Sequence, residues 1–125
     1  MADQGESVVL IVDDEDDIRE TLGELVAHVG CTARGAANGA EALELLKTLR
    51  PCLIILDLRM PVMNGHETWA ALQQDPSLAH VPVVVSTSTP DDAPQGATVL
   101  PKPIDVDAAF SLMRRYCRCH PEGAP

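Results

Sequence analysis

Short apolar runs alternate with amphipathic segments along the chain. The run at 8–12 is rich in β-branched residues and has no polar break, which is typical of a strand buried on both faces of a parallel sheet. Spacings of three and four between apolar residues instead indicate helices with one buried face. The predicted strands are 8–12, 31–36, 52–56, 81–85 and 98–100, and the predicted helices are 18–29, 39–49, 65–74 and 105–116. Strands that alternate with helices predict an α/β fold with a parallel sheet.

The connection between the fourth and fifth predicted strands is short. Only 14 residues, 88–101, separate Thr87 from Lys102, and they include Pro90, Pro94 and Gly96. A parallel crossover normally needs a dozen or more residues besides the strands that it joins. We therefore expect a loop or a single helical turn here, in place of a full helix.

Composition narrows the classes of function. The chain has 125 residues, enough for one domain. Its formal charge of −10 argues against direct contact with nucleic acid, because phosphate contacts need Lys and Arg. No apolar run approaches the roughly 20 residues of a membrane span, and the N-terminus lacks the pattern of a signal peptide. We predict a cytoplasmic protein without membrane contact, whose four cysteines are reduced thiols.

Polar side chains gather where the predicted strands end. In a doubly wound sheet, ligands bind outside the carboxyl ends of the strands. The residues at these ends are Asp13, Asp14, Glu15, Asp57, Thr87 and Lys102. Carboxylates about 5 Å apart repel by roughly 3 kcal/mol per pair at an effective dielectric near 20, so the cluster favours a bound cation. Oxygen ligands favour Mg²⁺ over zinc, although an acidic pair after a strand is also common as a solvated helix N-terminus.

Four segments carry a resemblance to a known family: 8–15, 53–65, 81–87 and 100–104. With these segments, the chain closely resembles the receiver domain of two-component response regulators from about Val8 to Tyr116. The stretch from Asp57 to Gly65, together with Lys102-Pro103, is the most specific part. The resemblance implies a doubly wound, five-stranded parallel sheet in the order 2-1-3-4-5. The family usually has a fourth helix between strands 4 and 5, and the short link implies that this helix 4 is absent or reduced to about a turn. It also implies an N-terminal extension at 1–7, a receiver domain at 8–116 and a C-terminal tail at 117–125.

The resemblance implies a role for each site residue. Asp57 would accept a phosphoryl group from a histidine kinase or a phosphotransfer protein. Mg²⁺ would be held by Asp14, Asp57 and the backbone carbonyl of Arg59, with Asp13 acting through a coordinated water. Lys102 would pair with the phosphoryl oxygens, and Thr87 would move to hydrogen-bond them. No conventional enzyme activity is expected beyond self-catalysed phosphoryl acceptance and hydrolysis at Asp57.

Three features depart from the family pattern, and they keep alternatives open. The link at 88–101 is short, Val99 stands where an aromatic residue is common, and Ser88 replaces a smaller residue. The short link and Val99 favour one alternative, a pseudo-receiver that binds partners without phosphorylation. A Mg²⁺-dependent phosphohydrolase is a weaker one, because Arg59 stands where such enzymes carry a second Asp. The output is expected to be an unknown downstream protein or a missing effector domain.

Overall fold

The computed structural model describes residues 7–117, which form five strands and four helices. The strands are β1 (Val8–Val12), β2 (Thr32–Ala36), β3 (Leu53–Asp57), β4 (Val83–Thr87) and β5 (Thr98–Pro101). The helices are α1 (Asp16–His28), α2 (Gly39–Leu45), α3 (Gly65–Gln74) and α4 (Val106–Tyr116). All strand pairs are parallel, and the sheet order is β2-β1-β3-β4-β5. The predicted fold class and strand order are confirmed.

Local sequence signals explain where the helices begin. Asn38 and Asn64 accept the backbone N–H three residues ahead through their side chains, and Asp105 does the same for α4. At α3 the Glu67 carboxylate also accepts the backbone N–H of Asn64, which completes a capping box. These caps place the start of α3 directly after the loop that follows β3.

The sheet separates two apolar layers. Alternate residues of each strand point to opposite faces, so Val9 and Ile11 of β1 face one layer, while Leu10 and Val12 face the other. Helices α1 and α4 cover the first layer, which holds Leu22, Val26, Ala109 and Met113. Helices α2 and α3 cover the second, which holds Ala42, Leu46 and Leu72. Both faces of β1 and β3 are therefore buried, which accounts for their unbroken apolar runs.

The largest differences from the predicted bounds are at β4 and α2. Strand β4 begins at Val83 and not at 81, since Pro82 has no N–H to donate to a neighbouring strand. Thr87 is consequently the last residue of β4 and does not follow the strand. Helix α2 ends at Leu45 and not at 49, because the N–H groups of Lys47 and Thr48 donate to carbonyls three residues back.

The link between β4 and β5 holds one 3-10 turn, Pro90–Asp92, and no longer helix. This confirms the expectation drawn from its length and its prolines. The turn is held by N–H donation from Asp92 to the Thr89 carbonyl at 2.9 Å and from Ala93 to the Pro90 carbonyl at 3.1 Å. Apart from this turn, the link between β4 and β5 contains no regular secondary structure among the described residues.

The prediction of reduced thiols is wrong for Cys52 and Cys117, which form a disulfide with a Cα–Cα distance of 5.3 Å. Cys52 directly precedes β3, at the end of the strand opposite Asp57, and Cys117 caps α4. The packing of α4 against the sheet brings together two residues 65 positions apart, which the spacing of cysteines along the chain does not reveal.

The predicted extension 1–7 and tail 117–125 lie almost wholly outside the described residues. No helix within 7–117 is long and apolar enough to cross a membrane.

Candidate functional site

Three carboxylates meet at the carboxyl edge of the central strands. The register pairs Val12 of β1 with Leu56 of β3, so the next residue of each strand, Asp13 and Asp57, lies side by side. Asp14 completes the group, and one carboxylate oxygen from each of the three lies within 4.8 Å of the others. Asp13 and Asp57 are buried, and Asp14 is exposed. The tertiary structure thus brings together the acidic residues that the sequence placed at the strand ends.

Lys102 enters this cluster from β5. Its Nζ donates to Asp13 Oδ2 at 2.9 Å, and it lies 3.4 Å from Asp57 Oδ1 and 3.8 Å from Glu15 Oε1. The Lys102–Pro103 peptide bond is cis. Burial of the ammonium acts to lower the pKa of Lys102, but Asp13 and Asp57 outweigh it and leave that pKa above its ordinary value. The lysine therefore stays charged in its site.

The Asp57 carboxylate is held in an unfavourable environment. Burial is the largest influence that raises the pKa of Asp57 above its ordinary value of 3.8, and the charge of Asp13 raises it further. Lys102 acts in the opposite direction without cancelling these effects. Asp13 differs in its contacts, because its Oδ1 accepts the Glu15 N–H at 2.9 Å while Lys102 donates to Oδ2. Asp57 is therefore the carboxylate that gains most from a further cation or from covalent modification.

Thr87 stands beside Lys102 at the end of β4. Its carbonyl accepts the Lys102 N–H at 2.9 Å, and its side chain is buried. The Thr87 hydroxyl oxygen accepts the Thr89 N–H at 3.0 Å and lies 3.1 Å from the Thr89 hydroxyl. The sequence prediction included Thr87 but missed Thr89, for which the only sequence signal was the Thr-Ser-Thr repeat at 87–89.

These residues line an open cleft of about 360 Å³. Its lining residues are Asp14, Glu15, Asp57, Arg59, Thr87, Ser88 and Lys102. Arg59 also lies 3.6 Å from Asp92, measured between the guanidinium Nη2 and the carboxylate Oδ2. The sequence does not predict this ion pair, because Asp92 and Arg59 are 33 positions apart.

Gly65 packs the start of α3 tightly against the end of β3. A Cβ at this position would lie 2.2 Å from the Asp57 carbonyl oxygen and 2.6 Å from the Leu58 Cα. The Gly65 N–H donates to the Leu58 carbonyl at 2.9 Å. A side chain here would have to displace the backbone that carries Asp57, so the position of the site depends on this glycine.

The donor set of the cleft suits a hard cation. One oxygen from each of three carboxylates lies within 4.8 Å of the others, and Lys102 is the one ammonium that contacts them among the described residues. Their combined charge is negative even after this ion pair, so a divalent cation would relieve the repulsion. Oxygen donors without nitrogen or sulfur favour Mg²⁺ or a similar ion. The residues present therefore fit a metal of this kind.

Comparisons with known proteins agree on one family. The family model of the response regulator receiver domain matches residues 9–109. The chain is 37% identical over 115 residues to the DNA-binding transcriptional regulator NtrC of Escherichia coli (strain K12), which covers 86% of this chain and 24% of that protein. It is also 37% identical over 110 residues to a response regulator receiver protein of Anaeromyxobacter sp. (strain Fw109-5), covering 82% of this chain and 45% of that protein. The chain thus spans less than half the length of both relatives.

Solved structures show the same architecture. The chemotaxis response regulator CheY4 of Vibrio cholerae superposes with a TM-score of 0.78 at 28% identity. The match covers 89% of this chain and 98% of that one. The fold of the described residues is therefore shared with that chain over nearly its whole length.

Proposed function

Because the chain belongs to the response regulator receiver family, we propose that it accepts a phosphoryl group on Asp57 in a two-component signalling system. The observation that carries the proposal is the position of the Asp57 carboxylate. It lines an open cleft, lies 3.4 Å from the Lys102 ammonium and has a raised pKa. A carboxylate whose pKa is raised is a stronger nucleophile than an ordinary one, and its place in the wall of an open cleft leaves it accessible to a phosphodonor.

The transfer needs positioning and charge stabilisation more than covalent chemistry from the protein. An Asp57 carboxylate oxygen attacks phosphorus, the phosphorus–nitrogen bond of a phosphohistidine breaks, and the imidazole leaves. Lys102 pairs with the phosphoryl oxygens, and the Thr87 hydroxyl donates to one of them. Water later attacks phosphorus, releases inorganic phosphate and regenerates the carboxylate.

We propose that Mg²⁺ is held by Asp14, Asp57 and the backbone carbonyl of Arg59, with Asp13 acting through a coordinated water. The acidic cluster supports this assignment, since its carboxylates converge within 4.8 Å. When bound, the ion supplies positive charge to the phosphoryl oxygens. Asp13 lies 2.9 Å from the Lys102 Nζ and orients the ammonium toward Asp57.

The proposed phosphodonor is a histidine kinase or a phosphotransfer protein. The proposed output is a contact with a downstream protein or an effector domain, since the net charge of −10 disfavours direct contact with DNA. We place the receiver domain at 8–116, with an extension at 1–7 and a tail at 117–125. A cytoplasmic location remains a prediction from the sequence.

Intact-mass spectrometry tests the proposal. The chain is incubated with acetyl phosphate with and without Mg²⁺, beside Asp57→Asn. We expect one Mg²⁺-dependent phosphoryl adduct that Asp57→Asn does not form. The absence of an adduct in a chain that binds Mg²⁺ would contradict phosphorylation and favour the pseudo-receiver, the alternative that the short link and Val99 support. Multiple turnover of an added phosphate ester would instead indicate the phosphohydrolase.

A further inference from the structure

Two residues of the cleft wall are partnered by the β4–β5 link, which we define as residues 88–97. The Arg59 guanidinium lies 3.6 Å from the carboxylate of Asp92, the last residue of the 3-10 turn. The Thr87 hydroxyl oxygen accepts the N–H of Thr89 at 3.0 Å. Both contacts join a side chain that lines the cleft to a residue of the link, so both connect the link to the Asp57 site.

The ion pair between Arg59 and Asp92 is exposed and weak. Arg59 and Lys102 are the two cations among the residues that line the cleft, and Lys102 is already paired with Asp13. The side chains of Arg59 and Asp92 are 72% and 57% exposed, and an ion pair this exposed contributes less than about a fivefold factor to an equilibrium constant. Asp92 therefore holds Arg59 only weakly.

A phosphoryl group competes strongly for the same guanidinium. It would add a charge of about −1.5 to −2 and three acceptor oxygens at Asp57, against a single charge on Asp92. The planar guanidinium donates two parallel hydrogen bonds to a phosphate, which a lysine ammonium does not do. The phosphoryl group would also lie in a less exposed place than Asp92, where solvent screens the attraction less.

We propose that Arg59 is a positioning residue that exchanges Asp92 for the phosphoryl group of Asp57, and that this exchange releases the 3-10 turn. This inference rests on the proposed phosphorylation of Asp57. The ion pair holds the turn against the site before modification. After modification Arg59 turns to the phosphoryl oxygens, Asp92 loses its partner, and the link rearranges. The β4–β5 link is thus the segment whose structure reports the state of Asp57, although it contains no full helix.

Amide hydrogen exchange of the link tests the exchange of partners. The Asp92 and Ala93 amides close the turn and report its opening. In the wild-type chain we expect their exchange to accelerate about two- to fivefold after phosphorylation, which is the factor that a weak exposed ion pair supplies. High salt should produce a similar acceleration without phosphorylation, because it screens the pair.

Asp92→Asn removes the ion pair without touching the cleft. In this variant we expect the turn amides to exchange rapidly before phosphorylation, with little further change from phosphate or salt. Asp91→Asn is the matched control, because Asp91 is the adjacent carboxylate of the same turn and forms no ion pair among residues 7–117. It should behave like the wild-type chain. Arg59→Gln should match Asp92→Asn, and the double variant should add nothing further.

The readouts separate this inference from the proposed function. Intact mass measured on the same samples shows whether Asp57 carries the phosphoryl group, and the adduct should form in Asp92→Asn as in the wild-type chain. An adduct with unchanged exchange at the turn would overturn the inference and leave the proposed function in place. An equal acceleration in Asp92→Asn would assign the response to Thr87 and Thr89 and overturn the role of Arg59. Absence of the adduct would refute the proposed function itself.

Discussion

Replacing Asp57 by Asn should stabilise the metal-free chain, although it removes the proposed phosphoacceptor. At an effective dielectric near 20, Asp13 within 4.8 Å repels the Asp57 carboxylate by at least about 3.5 kcal/mol, and Lys102 at 3.4 Å attracts it by about 5 kcal/mol. The net attraction of about 1.5 kcal/mol is smaller than the several kcal/mol that burying an ion costs. We expect Asn to raise the free energy of unfolding by about 1 to 2 kcal/mol, or roughly 3 to 8 °C in melting temperature.

The raised pKa of Asp57 sets the pH dependence of this difference. Between its ordinary pKa of 3.8 and its higher folded-state pKa, the folded chain binds more protons at Asp57 than the unfolded chain does. The stability of the wild-type chain therefore falls as pH rises through this interval. The penalty is fully present above the folded-state pKa. The advantage of Asp57→Asn should thus be constant near neutral pH and shrink as the pH falls toward 3.8.

Thermal and urea unfolding of both chains across pH, with and without Mg²⁺, measures these quantities. Without metal, Asp57→Asn should be the more stable chain. With saturating Mg²⁺ the wild-type chain should gain about 2.7 kcal/mol at a hundredfold excess over the dissociation constant, and the order should reverse. A metal-free Asp57→Asn that is less stable than the wild-type chain at neutral pH would refute the reasoning, since burial would then not outweigh the ion pair with Lys102.

Four further changes test other parts of the structure by equilibrium unfolding. Asp13→Asn should lower the free energy of unfolding by about 1 to 3 kcal/mol, the opposite of Asp57→Asn, because it removes the carboxylate 2.9 Å from the Lys102 ammonium. A stabilised variant would contradict this. Val62→Gly should raise the free energy of unfolding by about 0.5 to 1 kcal/mol, because Val62 has a φ of 67° and its side chain is 83% exposed. No gain in stability would show that the loop does not require this conformation. Gly65→Ala should cost about 1 to 3 kcal/mol and slow phosphoryl acceptance, since its Cβ would meet the backbone that carries the acceptor; unchanged rates of adduct formation would show that the loop shifts freely. The double change Cys52→Ser and Cys117→Ser should lower the free energy of unfolding by up to about 4 kcal/mol, because the disulfide closes a 65-residue loop and restricts the unfolded chain. Equal stability of oxidised and reduced wild-type samples would argue against that cross-link.

Local signals were sufficient for much of the fold. The bounds of β1 and α3 match their predictions, because an uninterrupted apolar run and an asparagine cap act within a few residues. The shortened link was predictable as well, since chain length and two prolines limit what can form between β4 and β5. The apolar run beginning at Val81 predicts an earlier start for β4 than the structure has, because Pro82 has no N–H to donate and the strand begins at Val83.

The gathering of Asp13, Asp14, Asp57 and Lys102 was also predictable, because the carboxyl ends of parallel strands share one edge of the sheet. The sequence does not predict which of these carboxylates Lys102 approaches most closely. Lys102 lies 2.9 Å from Asp13 and 3.4 Å from Asp57, and this difference depends on side-chain torsions and on the packing of β5.

The sequence by itself determined the α/β class, the order of the elements and the edge where the chemistry lies, because periodicity, caps and strand ends act over a few residues. Only the tertiary structure decided the contacts between distant positions: the Cys52–Cys117 disulfide, the ion pair of Arg59 with Asp92, and the burial that raises the pKa of Asp57. Each of these depends on distances set when helices and loops pack against the sheet. A side chain with several possible partners along the chain has its partner chosen by that packing and not by its neighbours in sequence.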